Sequence, residues 1–222
     1  MAYVYYSYVN GFDSNVSSAI FLVRTDSMSE DGVHIAYFDD QNNVQILDPG
    51  FEFNGRMENM SHQYEEGYFF ITKEGVNNPS EYYVINFNEQ TPETVKINFP
   101  YNSDSSSKPF SKTYAGDGKF YLSYQKNDSD SYSKTILMLD AATGNTTEVF
   151  TTSSAAAFLT MASNGKLYYH NPYGNNQDAN IHVYDPSTGN QTLIPPPAGS
   201  NYPILFAPYG KTLELNGKLF LK

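Results

Sequence analysis

A chain of 222 residues, 40% hydrophobic and 16% aromatic, is long enough to bury a full core and too rich in rings to remain disordered. Its formal net charge of −11 repels phosphate backbones and anionic lipid surfaces, which excludes a nucleic-acid-binding role. Cys is absent, and disulfides, thiolate zinc sites and cysteine catalysis are excluded with it; no apolar run reaches spanning length, so no membrane insertion is expected.

The chain enters an apolar strand at once, residues 2–8 (AYVYYSY), without the charged and hydrophobic regions of a signal peptide. A polar stretch at 11–18 leads to a second strand at 19–23 (AIFLV), a hairpin connection at 24–32 and a third strand at 33–38. Residues 44–67 include the irregular FEFNGRMENMSHQYEE and hold the strand that leads into the next repeat. Glu66-Gly67 then opens an ordered series of YFFIT, a polar loop, YYVINF, a turn at 88–92 and TVKINF. After a Ser-rich stretch at 101–112, read as a loop, Asp117-Gly118 opens the same order: GKFYLSY, a polar loop, TILMLD, a turn at 141–144 and TTEVFTT.

A strand at 155–163 leads to Asn164-Gly165, a pair suited to a type I′ hairpin in which both central residues need positive φ. Strands at 166–170 and 181–184 follow, separated by a polar loop. Asp185-Pro186-Ser187-Thr188-Gly189 then suits a longer hairpin connection, with Pro fixing φ and Gly supplying the left-handed position. A short strand ends near Ile194, Pro195 to Pro197 stiffens the next loop, residues 202–215 supply one more strand or pair, and Asn216-Gly217 opens KLFLK.

Gly67, Gly118, Gly165 and Gly217 therefore recur at intervals of about fifty residues, the period of propeller blades rather than of a helical solenoid. YYVINF and TILMLD are nearly continuous apolar runs, the pattern of strands covered on both faces, as the middle strands of a blade are. Gly165-Lys166-Leu167-Tyr168 entering one strand and Val183-Tyr184-Asp185-Pro186-Ser187-Thr188-Gly189 leaving another resemble kelch-like repeats, without their glycine doublet or Trp. The resemblance extends weakly over nearly the whole chain and implies an all-β fold. The expectation is one β-propeller domain of four or five blades, each of four antiparallel strands, with repeat units 1–66, 67–117, 118–164, 165–216 and a partial 217–222. On this reading the chain starts at the second strand of its first blade, and the surplus KLFLK places five blades ahead of four.

In such a blade the connections from second to third strand and from fourth to first leave on one side. They are long and polar here, carrying Asp13 and Asn15; Asn77 and Asn78; Asp128, Asp130 and Tyr132; and Tyr173, Asn175, Asn176 and Asp178. Amides and carboxylates exchange bidentate hydrogen bonds with sugar hydroxyls, and a Tyr face covers the apolar side of a sugar ring. The expected function is a non-catalytic recognition module that holds a glycan or protein segment on this loop face, with an extracellular or cell-surface location. The alternatives are a propeller-type glycosidase or lyase with carboxylates near the central channel, and an architectural domain of a larger surface protein. Asn127 to Asp130 (NDSD) has neither the Gly turn nor the downstream bidentate Glu of a calcium loop, and His34, His62, His170 and His182 lack ligand spacing. There is no GxSxG, HExxH or P-loop, so no catalytic residue, metal or cofactor is expected.

Overall fold

The computed structural model describes residues 3–6, 20–24, 33–39, 41–49, 63–73, 81–101, 108–126, 135–152, 158–170, 180–196, 198, 213–215 and 218–220. Among them every element is a strand, and four antiparallel sheets are each a four-stranded meander in chain order. The first is β1 (Tyr3–Tyr6), β2 (Ile20–Arg24), β3 (Val33–Phe38) and β4 (Val44–Leu47); the second is β5 (Gln63–Glu65), β6 (Tyr68–Lys73), β7 (Glu81–Asn86) and β8 (Thr94–Lys96). The third is β9 (Lys108–Gly116), β10 (Lys119–Gln125), β11 (Thr135–Asp140) and β12 (Thr146–Thr151); the fourth is β13 (Phe158–Met161), β14 (Leu167–His170), β15 (Ile181–Asp185) and β16 (Asn190–Ile194). β17 (Leu213–Leu215) and β18 (Lys218–Phe220) form a separate pair.

The apolar runs at Tyr82, Thr135 and Ile181 thus become the third strands of three successive sheets. Two strand assignments change. Residues 44–67 hold β5, which leads into the second sheet as expected, and also Val44–Leu47, which pairs with β3 and completes the first sheet, so Tyr3–Tyr6 is a first strand and not a second. Lys108–Gly116 is paired with β10, so the strand begins inside the stretch read as a loop.

By contact the chain divides into two compact units, one of Met1–Asn98 with Ala141–Asn145, the other of Phe99–Asp140 with Thr146–Lys222. In the first unit Ile35 on β3 packs with Phe69 and Ile71 of β6, Ile85 of β7 and Phe87, and Tyr37 meets Phe87 edge-on with centroids 5.3 Å apart. Val84, alternate to Ile85 and so on the opposite face of the second sheet, is also buried, so both faces are covered as its unbroken apolar run requires. Each such side chain removed from water contributes about 1.5–3 kcal/mol. At the edge of the first sheet the pattern reverses, and Val44 and Ile46 are exposed.

The second unit is organised the same way. Tyr121 and Ile136 pack with Leu159, Leu167, Tyr169 and Tyr184, while Leu137 and Leu139 are fully buried on the other face of β11. The third and fourth sheets are also tied strand to strand. The Leu159 amide donates to Ser111 Oγ (3.1 Å) and the Met161 amide to Thr113 Oγ1 (3.0 Å). Residue numbers rise together across these two bonds, so β9 and β13 run in the same direction side by side.

Turn chemistry accounts for the joins. Glu66 (φ 50) with Gly67 (φ 82), and Asp117 (φ 50) with Gly118 (φ 69), have the two positive φ values of a two-residue hairpin. Asn164-Gly165 does not: only Gly165 (φ 75) is left-handed, and the Gly165 amide donates to Ala162 O at 2.9 Å. That is a three-residue connection ending in a glycine bulge, with Asn164 Oδ1 accepting from the Lys166 amide at 3.0 Å. Each third strand ends on, or is directly followed by, Asp or Asn, and in three sheets that side chain accepts from the amide two residues on: Asp39 from Gln41, Asn86 from Asn88 and Asp185 from Ser187. The expected left-handed position of Gly189 holds, at φ 72.

Candidate functional site

Asp13, Asn15, Asn77, Asn78, Asp128, Asp130, Tyr132, Tyr173, Asn175, Asn176 and Asp178 all lie outside the described residues, as does the NDSD run. The strands around them define which connections they occupy. Asn77 and Asn78 join β6 to β7, Asp128 to Tyr132 join β10 to β11, and Tyr173 to Asp178 join β14 to β15, each a second-to-third connection. Asp13 and Asn15 instead join β1 to β2, a first-to-second connection, because the first sheet is displaced by one strand from the expected register.

At the strand ends that flank these connections stand polar clusters. In the third sheet Glu148 of β12 accepts from the Tyr101 hydroxyl and, at 2.9 Å, from Thr151 Oγ1, and these hydrogen bonds hold its carboxyl below the usual range. Lys126, directly after β10, sets Nζ 3.5 Å from Glu148 Oε2 and 4.2 Å from the Tyr101 ring centroid. Burial, then the bond to Glu148, raises the Tyr101 phenol. Tyr101 stacks with Tyr124, which is 1% exposed and stacks in turn with Phe99 at 4.6 Å. The ring facing Lys126 is therefore backed by buried aromatic surface.

The second sheet carries a different version. Glu81, first residue of β7, accepts from Lys96 Nζ and from the Tyr83 hydroxyl (2.9 Å), with Lys73 at 3.5 Å, and its carboxyl is lowered mainly by the Lys96 bond. Burial and then Glu81 push Tyr83 up to about 12. In the fourth sheet His170 is fully buried at the end of β14, its Nδ1 3.4 Å from Asn180 O. Nδ1 is the protonated nitrogen if that contact is a hydrogen bond, since a carbonyl only accepts. His182 stacks on Tyr169 at 4.9 Å, and the Tyr169 hydroxyl donates to Gln191 Oε1 at 2.8 Å. His182 thus sits in the core as its apolar strand implies; His62 lies outside the described residues, and no group able to hold a metal ion occurs among those described.

These clusters were not singled out from sequence, because Glu81 and Glu148 occupy different places in their repeats. One signal was present: a basic or imidazole residue, Arg24, Lys73, Lys126 or His170, ends or directly follows the second strand of each four-stranded sheet.

No family model and no curated protein matches the chain. Among solved structures, Kuenenia stuttgartiensis hydrazine synthase matches 57% of this chain and 32% of its own at 11% identity, with a TM-score of 0.37. A fungal alcohol oxidase of the AA5 family, determined in complex with copper, matches 84% of this chain and 42% of its own at 10% identity, with a TM-score of 0.46. The chain spans less than half the length of either.

Proposed function

We propose that the sheets are blades of a β-propeller of four or five blades, and that the chain is a non-catalytic recognition module holding a glycan or an extended protein segment on its polar loops. The propeller reading is supported by the succession of equivalent meanders, by the face-to-face cores within each unit, and by first strands β9 and β13 lying side by side. The observation that carries the functional reading is the shared direction of those two strands. Their sheets direct the connections containing Asp128, Asp130 and Tyr132, and Tyr173, Asn175, Asn176 and Asp178, from the same end. Rigid strands that present variable polar loops at one end form a common binding architecture.

A glycosidase needs a carboxylic acid whose pKa is raised to donate a proton. None of the described carboxylates with a resolved shift is such an acid: Asp39, Glu81, Glu148 and Asp185 are all lowered. The test is a glycan array and a peptide array probed with the full chain and with Asp128→Ala, Asp130→Ala and Asn176→Ala. Binding on either array, weakened by these variants, is the expected result. Binding that the variants leave intact moves the site elsewhere, and silence on both arrays leaves the architectural role.

A further inference from the structure

We propose that Tyr101, Glu148 and Thr151, at the loop end of the third sheet, form a subsite for a primary ammonium, the lysine side chain of an extended protein segment, and that Lys126 occupies it in the free protein. This rests on the reading of that end as a binding face and names the class of partner. An ammonium is held by an aromatic face, which offers negative potential, together with an anionic oxygen. Both are present and both are held in place: the Tyr101 ring by its stack with buried Tyr124, the Glu148 carboxylate by the Tyr101 and Thr151 hydroxyls.

Lys126 shows that the geometry admits such a group, since its Nζ lies 4.2 Å from the ring centroid and 3.5 Å from the carboxylate at once. Its hold is weak, because the Lys126 and Glu148 side chains are 31% and 41% exposed and solvent screens a pair that open. A ligand lysine therefore displaces it at about a tenfold loss in affinity relative to the vacated subsite. The formal net charge of −11 draws a basic segment toward the chain, whereas a neutral glycan offers no cation to replace that of Lys126.

The probe is Nα-acetyl-lysine N-methylamide, titrated into the full chain while the Tyr101 ring resonances are followed by NMR, with the Nζ-acetylated compound as control. Lys126→Ala is expected to bind the probe about tenfold more tightly than the parent chain, the effect of removing one cation–π contact and one exposed ion pair. Acetylated probe should leave the resonances unmoved, and Glu148→Gln in the Lys126→Ala background should abolish the response. Should Lys126→Ala lose its fold by circular dichroism, Lys126→Met keeps the apolar stem and serves instead. Equal affinity in parent and variant, equal binding of the acetylated probe, or a neutral glycan that moves Tyr101 where the lysine probe does not, overturns the proposal. Asp128→Ala, Asp130→Ala and Asn176→Ala separate it from the broader reading: if they leave a lysine-bearing peptide's affinity unchanged while the single-lysine result holds, the loop face fails and the subsite stands.

Discussion

Gly144 and Gly189 occupy the same place in two copies of one turn, with φ values of 71 and 72, yet their surroundings differ. A Cβ added at Gly189 meets nothing within 4 Å, whereas at Gly144 it overlaps Lys96 O and lies 2.9 Å from Val95 Cγ1. Ala at either position bears the left-handed penalty of about 1–2 kcal/mol. At Gly144 the obstacle is a backbone carbonyl on a strand paired with β7, which cannot rotate away as a side chain would. Overpacking of this kind adds about 1–3 kcal/mol. Relief by lifting the turn stretches the bond from the Asn98 amide to Gly144 O, now 2.8 Å, worth about 1 kcal/mol. Gly144→Ala should therefore cost about 3–6 kcal/mol and Gly189→Ala about 1–2, read as urea midpoints at constant m-value. In a thermal scan the two should differ by roughly 4–16 °C, at about 2–4 °C per kcal/mol for a chain of this size. If the two variants agree within about 0.5 kcal/mol, the turn at Ala141–Asn145 does not rest on the second sheet in solution.

Two further outcomes follow from contacts described above. Ser111→Ala and Thr113→Val each remove the hydroxyl that accepts a β13 amide, and should cost about 1–3 kcal/mol each; hydrogen exchange at Leu159 and Met161 should quicken while β11 amides hold their rates. Unchanged exchange at those two amides would mean that β9 and β13 are not joined there. The lowered carboxyls at Asp39, Glu81, Glu148 and Asp185 contribute stability that is present above the unfolded carboxylate pKa of about 4 and is lost as pH falls through their lower folded values. Glu81→Gln should accordingly lower the urea midpoint most near neutrality, with the gap to the parent closing below about pH 4. A gap that stays constant or widens on acidification would contradict the assigned contacts.

Local chemistry was legible without coordinates. Continuous apolar runs announced strands buried on both faces, and Val84 beside Ile85, or Leu137 beside Ile136, shows the consequence. The left-handed glycine of the Pro-Ser-Thr-Gly turn was legible for the same reason, since φ preference belongs to a residue and its immediate neighbours. Composition alone marks the polar loops proposed as a binding face, and the described strands refine only their membership: they move Asp13 and Asn15 to a different kind of connection.

The period of the repeats, most of their turns and the burial of the third strands on both faces were thus decided by the chain's own pattern, because apolar patterning and turn preference act over a few residues. Which strand begins a sheet, which edge leaves Val44 and Ile46 in water, whether Asn164-Gly165 makes a two- or three-residue turn, and that Lys126 meets Tyr101 and Glu148 were decided by tertiary structure. These depend on partners from other strands, often many residues away, and composition near a residue carries no record of what the fold will bring against it.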